Sequence, residues 1–211
     1  MVAVLLCGSA FLVVVLGDGG RFLAPGWCSS TGFFGRGTGG GSGQVKELLE
    51  NPNFEATPKA VGDLEAGIVD PRLVAALQTI TEEHRICVDA FKEGHYFLPG
   101  VPDGPFIPAS YGEVGGLPNT HYYGRAADIR RVDGKPVRGN GSNPDVLDVG
   151  EILADLPPQE RPDQIIGPKN WAQALGRSRQ EGWVLDEDQL KLHEGHLHVG
   201  YALEDGTRNA R

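Results

Sequence analysis

The chain has 211 residues, 40% of them apolar, three cysteines and a formal net charge of −9. That length and apolar content suit one packed domain with appendages. The acidic balance argues against nucleic acid as a partner, because phosphate binding needs clustered Lys and Arg. Three cysteines are too few for a disulfide scaffold, and their spacing is not that of a zinc ribbon.

In chain order, Val2 to Leu16 is an almost unbroken apolar run. It is shorter than the roughly 20 residues a helix needs to span a bilayer and matches the apolar part of a secretory signal or a shortened anchor. Residues 1–17 therefore read as a hydrophobic leader or anchor, which places the chain outside the cytoplasm, secreted or held at a membrane. Residues 18–43 include Gly39-Gly40-Gly41-Ser42-Gly43 and read as a flexible linker. Residues 1–43 are expected to be dispensable for folding.

Residues 44–204 read as one globular domain and 205–211 as a tail. Gln44 to Leu49 is a short helix. Thr57-Pro58 is a helix start, with Thr57 as cap and Pro58 in the first turn, running to about Ala66 and stopping at Gly67. Asp70-Pro71 repeats the device and opens a helix to His84, with apolar spacing at Leu73, Leu77 and Ile80. Arg85 to Phe91 alternates and reads as a strand. Cys87 in it either packs as a small hydrophobe or, if the domain is exported, bridges to Cys28. Residues 94–119 form a long Gly- and Pro-rich loop, expected to border a cleft. Its aromatics Tyr96, Phe97, Phe106 and Tyr111 either line the cleft or pin the loop.

Ala127 to Val132 is a strand followed by an Asp133-Gly134 turn. Pro144 to Leu156 is an amphipathic helix, and Gln164 to Gly167 a short strand. Trp171, Leu175 and Trp183 are apolar anchors, read as core. His196 to Tyr201 is a strand that closes the sheet. Helices first, then strands with helices between them, argue for an α+β fold.

Two blocks carry chemistry: His121-Tyr122-Tyr123-Gly124-Arg125-Ala126-Ala127-Asp128-Ile129 and His193-Glu194-Gly195-His196-Leu197-His198-Val199-Gly200. They hold four of the six histidines, leaving His84 and His95 to read as ordinary hydrogen-bonded residues. Side chains alternate faces on a strand, so His196 and His198 point the same way, as would Glu194 if the strand began that early. Asp128 is a carboxylate inside an apolar run, which needs a cation or donor partner. Imidazole and carboxylate are zinc ligands, and a hydrolytic zinc site keeps one position open for water.

These blocks resemble the zinc D-alanyl-D-alanine carboxypeptidase and endopeptidase superfamily, which acts on bacterial cell-wall peptides. That family reads Ser-x-His-x-x-Gly-x-Ala-x-Asp, with a later acidic residue shortly before a histidine, often as His-x-His. His121, Gly124, Ala126 and Asp128 fit the first motif; His196-Leu197-His198 fits the second, with His198 in the ligand place. The resemblance covers about residues 47–203, including Asp63 to Arg72. It is closest to actinobacterial members with a His-Tyr-Tyr-Gly-Arg-Ala-Ala-Asp-Ile block. The chain departs from the pattern at three places. Gly195 stands three before the last histidine, where an acid is usual. Lys92 stands roughly where an arginine binds the substrate carboxylate or oxyanion. Asn119 replaces the serine.

The resemblance implies a small central antiparallel sheet flanked by helices, with a zinc site at the sheet, as in hedgehog-like and D,D-peptidase folds. It implies one Zn²⁺ held by His121, Asp128 and His198 in a monomeric metallopeptidase that cleaves peptidoglycan stem peptides or cross-links. Glu194 or His196 would carry the proton, with His196 otherwise an oxyanion donor, and His193 would support the ligands from behind. Lys92 or Arg125 would hold the substrate carboxylate, unless Arg125 is only an exposed neighbour of the ligand. The alternative is a zinc-binding, cell-wall-binding module with reduced or lost catalysis.

Overall fold

The computed structural model describes Cys28, residues 43–93, His95, Gly104 and residues 118–202. The leader, most of the linker, the tail, and the loop aromatics Tyr96, Phe97, Phe106 and Tyr111 lie outside the described residues. Among the described residues no helix is long and apolar enough to cross a membrane.

The elements run α1 (Gly43–Glu50), β1 (Phe54–Ala56), α2 (Pro58–Glu65), α3 (Pro71–Glu83), β2 (Ile86–Ala90), β3 (Ala126–Val132), β4 (Lys135–Pro136), α4 (Pro144–Asp155), β5 (Gln164–Ile166), α5 (Lys169–Leu175), α6 (Glu187–Leu192) and β6 (Leu197–Gly200), with single 3₁₀ turns at His121–Tyr123 and Arg179–Glu181. Three helices start by one device. Thr57, Asp70 and Asn143 each accept a hydrogen bond from a first-turn N–H, with proline just inside the helix. Each such cap stabilises its helix by about 1 kcal/mol. Asp133 and Gly134 both have positive φ, 45° and 80°, which makes the tight turn between β3 and β4.

The result is a small mixed sheet flanked by helices, an α+β arrangement. Strand order is β1-β2-β3-β6-β5, with β4 paired to β3 as well. Two features differ from the sequence-based expectation of an antiparallel sheet closed by its last strand. First, β1 pairs with β2 in parallel. The chain returns to it through α2 and α3, and a helical crossover brings a strand back in the same direction. Second, β6 is an inner strand, antiparallel to β3 on one side and to β5 on the other.

The pairing register divides the sheet into two chemically distinct faces. Val88, Ile129 and Leu197 follow one another across the strands, as do Ala127, Val199 and Ile165. All six belong to the main core, with Leu64, Leu73, Leu77, Leu153, Trp171 and Trp183. Trp171 and Trp183 are thus core residues, as expected from sequence. The intervening positions fall on the other face by the period-two rule. There Asp128, His198 and Ile166 form one row, with Ala90 brought opposite Asp128 by a register shift in β2, and Ala126, Gly200 and Gln164 the next. Cys28 and Cys87 are joined by a disulfide, 59 residues apart in sequence.

Candidate metal centre

Asp128 sits in the middle of β3, between core residues, and is 7% exposed. His198 stands directly opposite it on β6. His121 reaches the same point from the 3₁₀ turn. That turn ends at Gly124, which has φ of 69° and donates its N–H to the His121 carbonyl. A Cβ at 124 would lie 2.2 Å from the Ile68 carbonyl oxygen. Glycine is therefore required there twice, for its left-handed backbone and for the close approach. The reversal folds His121 back over Asp128.

Three atoms converge. His121 Nε2 lies 3.1 Å from Asp128 Oδ1 and 3.2 Å from His198 Nδ1, and His198 Nδ1 lies 3.3 Å from Asp128 Oδ1. The far side of each ring shows which nitrogen carries the hydrogen. His121 Nδ1 faces the Phe91 carbonyl oxygen, which only accepts, so the hydrogen is on Nδ1 and a neutral ring turns a bare Nε2 inward. Gln164 donates through Nε2 to the Pro118 carbonyl at 2.8 Å, which aims its Oε1 at His198 Nε2, 3.2 Å away. His198 therefore carries its hydrogen on Nε2 and turns a bare Nδ1 inward. Thr120 Oγ1 completes this bracket, donating to Gln164 Oε1 at 3.1 Å. Gly200 makes room for it: a Cβ there would lie 2.6 Å from Thr120 Oγ1 and 2.9 Å from His198 Nε2.

With both rings neutral, two imidazole lone pairs and a carboxylate oxygen face one another, an arrangement that a cation relieves. The spacing also suits one. Ligands about 2.05 Å from a tetrahedral centre are about 3.3 Å apart.

His95 completes a wider group. Donor atoms of His95, His121 and Asp128 all lie within 4.8 Å of one another and can hold a metal ion. The sequence reading left His95 out, because its position depends on β2 pairing with β3 and bringing Ala90 opposite Asp128. Ring geometry separates His95 from His198. His121 and His198 meet edge-on, at 66°, so their donors can aim at one point. His95 stacks on His121 with centroids 3.8 Å apart and planes 20° apart, so its ring-plane lone pairs run nearly parallel to those of His121. We therefore take His121, Asp128 and His198 as the inner set, with His95 flanking it, Nε2 3.7 Å from Asp128 Oδ2.

Burial disfavours the charged forms of His95, His193 and His198. It drives His198 down to about 4. With the charge of His121, it drives His95 down to about 3. His193 is also pushed well below the usual imidazole range by burial. Burial alone would raise Asp128, but charge at His196 and His121 outweighs it and holds the carboxyl well below the usual carboxylate range.

The other predicted site residues divide. His196 Nε2 lies 3.5 Å from Asp128 Oδ1, so it joins the cluster on the same side as His198. His193 is buried behind, its Nδ1 donating to the Gln189 carbonyl at 2.6 Å and its ring 5.3 Å from that of His198. The Glu194 side chain is exposed and has no hydrogen-bond or ion-pair partner among the described residues, while its N–H donates to the Lys191 carbonyl at 3.4 Å; β6 begins only at Leu197 and Glu194 lies in the preceding turn. Lys92 is exposed, and its backbone N–H is bonded to Asp63. Arg125 is held by Asp70 and by the Ala202 carbonyl, so it braces the β6 end of the domain. Gly195 has Arg138 over it: a Cβ at 195 would lie 2.8 Å from Arg138 Nη2. His84, read as an ordinary hydrogen-bonded residue, is paired with Asp133 and Asp148, away from the cluster. Sequence reasoning also missed Thr120 and Gln164. Only the proximity of Thr120 to His121 hinted at either.

No family model, no curated protein and no solved structure matches the chain.

Proposed function

We propose that this chain is a zinc-dependent peptidase of the D-alanyl-D-alanine carboxypeptidase and endopeptidase type, cleaving peptide bonds in peptidoglycan stem peptides or cross-links. The peptidase class rests on the motif resemblance, and one observation supports its metal site: Nε2 of His121, Nδ1 of His198 and Oδ1 of Asp128 converge within 3.1–3.3 Å. Two imidazoles and a carboxylate make a donor set suited to Zn²⁺. Held by His121, Asp128 and His198, zinc would supply Lewis acidity and a water acidified toward a pKa of about 7. The chain's own residues do the rest. Phe91 and Gln164 fix the tautomers of the two ligating histidines. His196, half-buried with Nε2 3.5 Å from Asp128 Oδ1, would move the proton from the attacking water to the departing amine as the C–O bond forms and the C–N bond breaks. Glu194 is not so placed.

The Cys28–Cys87 disulfide supports an extracytoplasmic setting, since such bonds persist in oxidising compartments. Elemental analysis of the purified protein, then digestion of purified sacculi with release of stem peptides followed by chromatography, tests the proposal. Stoichiometric zinc with peptide release is expected. Absence of zinc defeats the whole reading.

A second reading is favoured by Gly195 and Arg138. No carboxylate stands three before His198, and a guanidinium occupies that space. On this reading the chain is a zinc-binding module that binds cell-wall peptide without cleaving it. Zinc with saturable binding to sacculi and no released peptide is its signature.

A further inference from the structure

We propose that Arg138 holds the free C-terminal carboxylate of the peptide bound in this site, so that the chain selects a bond next to a peptide's C-terminus. The inference rests on the peptidase reading above. Of the two residues expected for that task, Arg125 is committed to Asp70 and the Ala202 carbonyl. Lys92 follows β2, on the opposite flank of β3 from β6. Arg138 is brought to the β6 side by strand register. β3 pairs with β6 through residues 126–129 and with β4 through Arg131 and Val132, so β6 and β4 lie end to end along one edge of β3. Between them the Arg130 carbonyl accepts the Val137 N–H. Val137 points into the core, so the next side chain leaves on the other face, the one that bears Asp128.

The guanidinium comes to rest against Gly195. A Cβ there would lie 2.8 Å from Nη2, 3.3 Å from Cζ and 3.4 Å from Nε. The glycine is a seat that any side chain would fill. It stands one residue before His196, whose Nε2 is 3.5 Å from Asp128 Oδ1, and three before His198. The group is also uncommitted. Glu55 takes Arg85, Asp70 takes Arg72 and Arg125, and Asp89 takes Arg130. Arg138 is exposed, and its side chain has no hydrogen bond or ion pair among the described residues, not even with Glu194 beside its seat. A planar guanidinium offers parallel N–H donors that match the two oxygens of a carboxylate. One peptide residue spans at most about 3.6 Å, so a carboxylate seated beside His196 belongs to a residue close to the bond being cut. A bond in mid-chain has no such group next to it; the bond before a terminal residue does.

The test uses wild type, Arg138→Gln and Arg138→Lys, each loaded with zinc, and one stem peptide made twice, with a free C-terminal carboxylate and as its C-terminal amide. Zinc stoichiometry, melting temperature and kcat/KM on both peptides are measured. Wild type is expected to prefer the acid by roughly 10–100-fold, the size of a hydrogen bond to a charged group. Arg138→Gln should keep zinc and melting temperature and bring that ratio close to one. Arg138→Lys, a cation without the fork, should recover part of it. Added salt should lower the wild-type ratio, because the guanidinium is exposed. A merely structural role would slow both peptides together and leave the ratio where it was. An unchanged ratio in Arg138→Gln overturns the assignment, as does loss of zinc from that variant. Equal cleavage of acid and amide by wild type overturns it too, with the peptidase reading intact. If wild type holds zinc but cleaves neither peptide, the ratio of their Kd values in the same three proteins, by calorimetry, decides in the same way. Absence of zinc from wild type defeats the peptidase reading itself, and this inference with it.

Discussion

Asp128 and His198 face each other directly across β3 and β6, and both belong to the sheet face that turns away from the main core. Every second residue on these strands is a core residue, so each donor is flanked by buried apolar positions. The rigidity of the core is thereby passed to the site, where donor spacing matters to a few tenths of an ångström.

The inner donor set predicts the effect of its removal. His121→Ala or His198→Ala should leave substoichiometric zinc by elemental analysis while the fold persists, and full zinc in either variant would show the ligands to be wrong. Gln164→Ala is a subtler change. It leaves all three donors but releases the His198 tautomer and orientation. Such outer partners typically change metal affinity by about 10–100-fold, and competition with a chromophoric chelator should find a loss of that size.

The proton carrier is expected to be His196 and not Glu194. A positioned acid–base group contributes roughly 10²–10⁴-fold. His196→Gln should lose that factor in kcat while retaining zinc. Glu194→Gln, in the exposed turn, should cleave as wild type does. The reverse pattern would require the turn to close onto the site.

Gly195→Asp tests what the absent acid would do. A Cβ at 195 meets the far end of the Arg138 side chain, which can swing aside, so the variant should fold. Its carboxylate would then have a guanidinium partner at hand. If wild type binds sacculi without cleaving them and Gly195→Asp releases stem peptide, this chain is a binding module whose metal site has outlived its catalytic acid.

Much of this fold was legible in the sequence because it is punctuated by strong local signals. Thr57-Pro58, Asp70-Pro71 and Asp133-Gly134 act through their own hydrogen bonds and dihedrals, so no tertiary knowledge is needed to read them. The meeting of His121 with Asp128 was legible for a similar reason, since a histidine three residues before a glycine and seven before a strand aspartate is a local pattern. The rest depends on pairing. β1 is three residues long and exists only because β2 is beside it. α5 and α6 are short segments stabilised by packing, with Trp171 and Leu190 buried. His95 and Gln164 join the site through strand register, which composition and spacing do not encode. Glu194 and Lys92 were placed by analogy with a motif, and here both side chains are exposed on turns.

A pH-dependent contribution to stability should come from His84. Burial disfavours its charged form, but Asp133 at 2.7 Å and Asp148 at 2.9 Å outweigh this and raise its pKa above the ordinary imidazole value. A raised folded-state pKa means the stabilisation is fully present below about 6.5, the unfolded value, and is lost as pH rises through the folded value. Melting temperature should therefore decline from mildly acidic to mildly alkaline pH. His84→Gln should flatten that slope, and salt should weaken it because the partner carboxylates are partly exposed.

The disulfide changes the expectation for the region before residue 44. By composition that region is a tether with nothing to pack, and a chain beginning at Gln44 should fold as well as the whole. Yet Cys28 lies in it and is bonded to Cys87 in β2, at the centre of the domain. Starting at Gln44 deletes Cys28 and leaves a buried thiol in its place. Closing a loop of this length stabilises by about 4 kcal/mol on the chain-entropy model. A chain beginning at Gln44 should therefore remain soluble but unfold at lower denaturant than the full chain, and reducing agent should lower the midpoint of the full chain only. Equal midpoints for both chains under oxidising conditions would mean that the bridge adds nothing, and that residues 1–43 are a tether in the energetic sense as well.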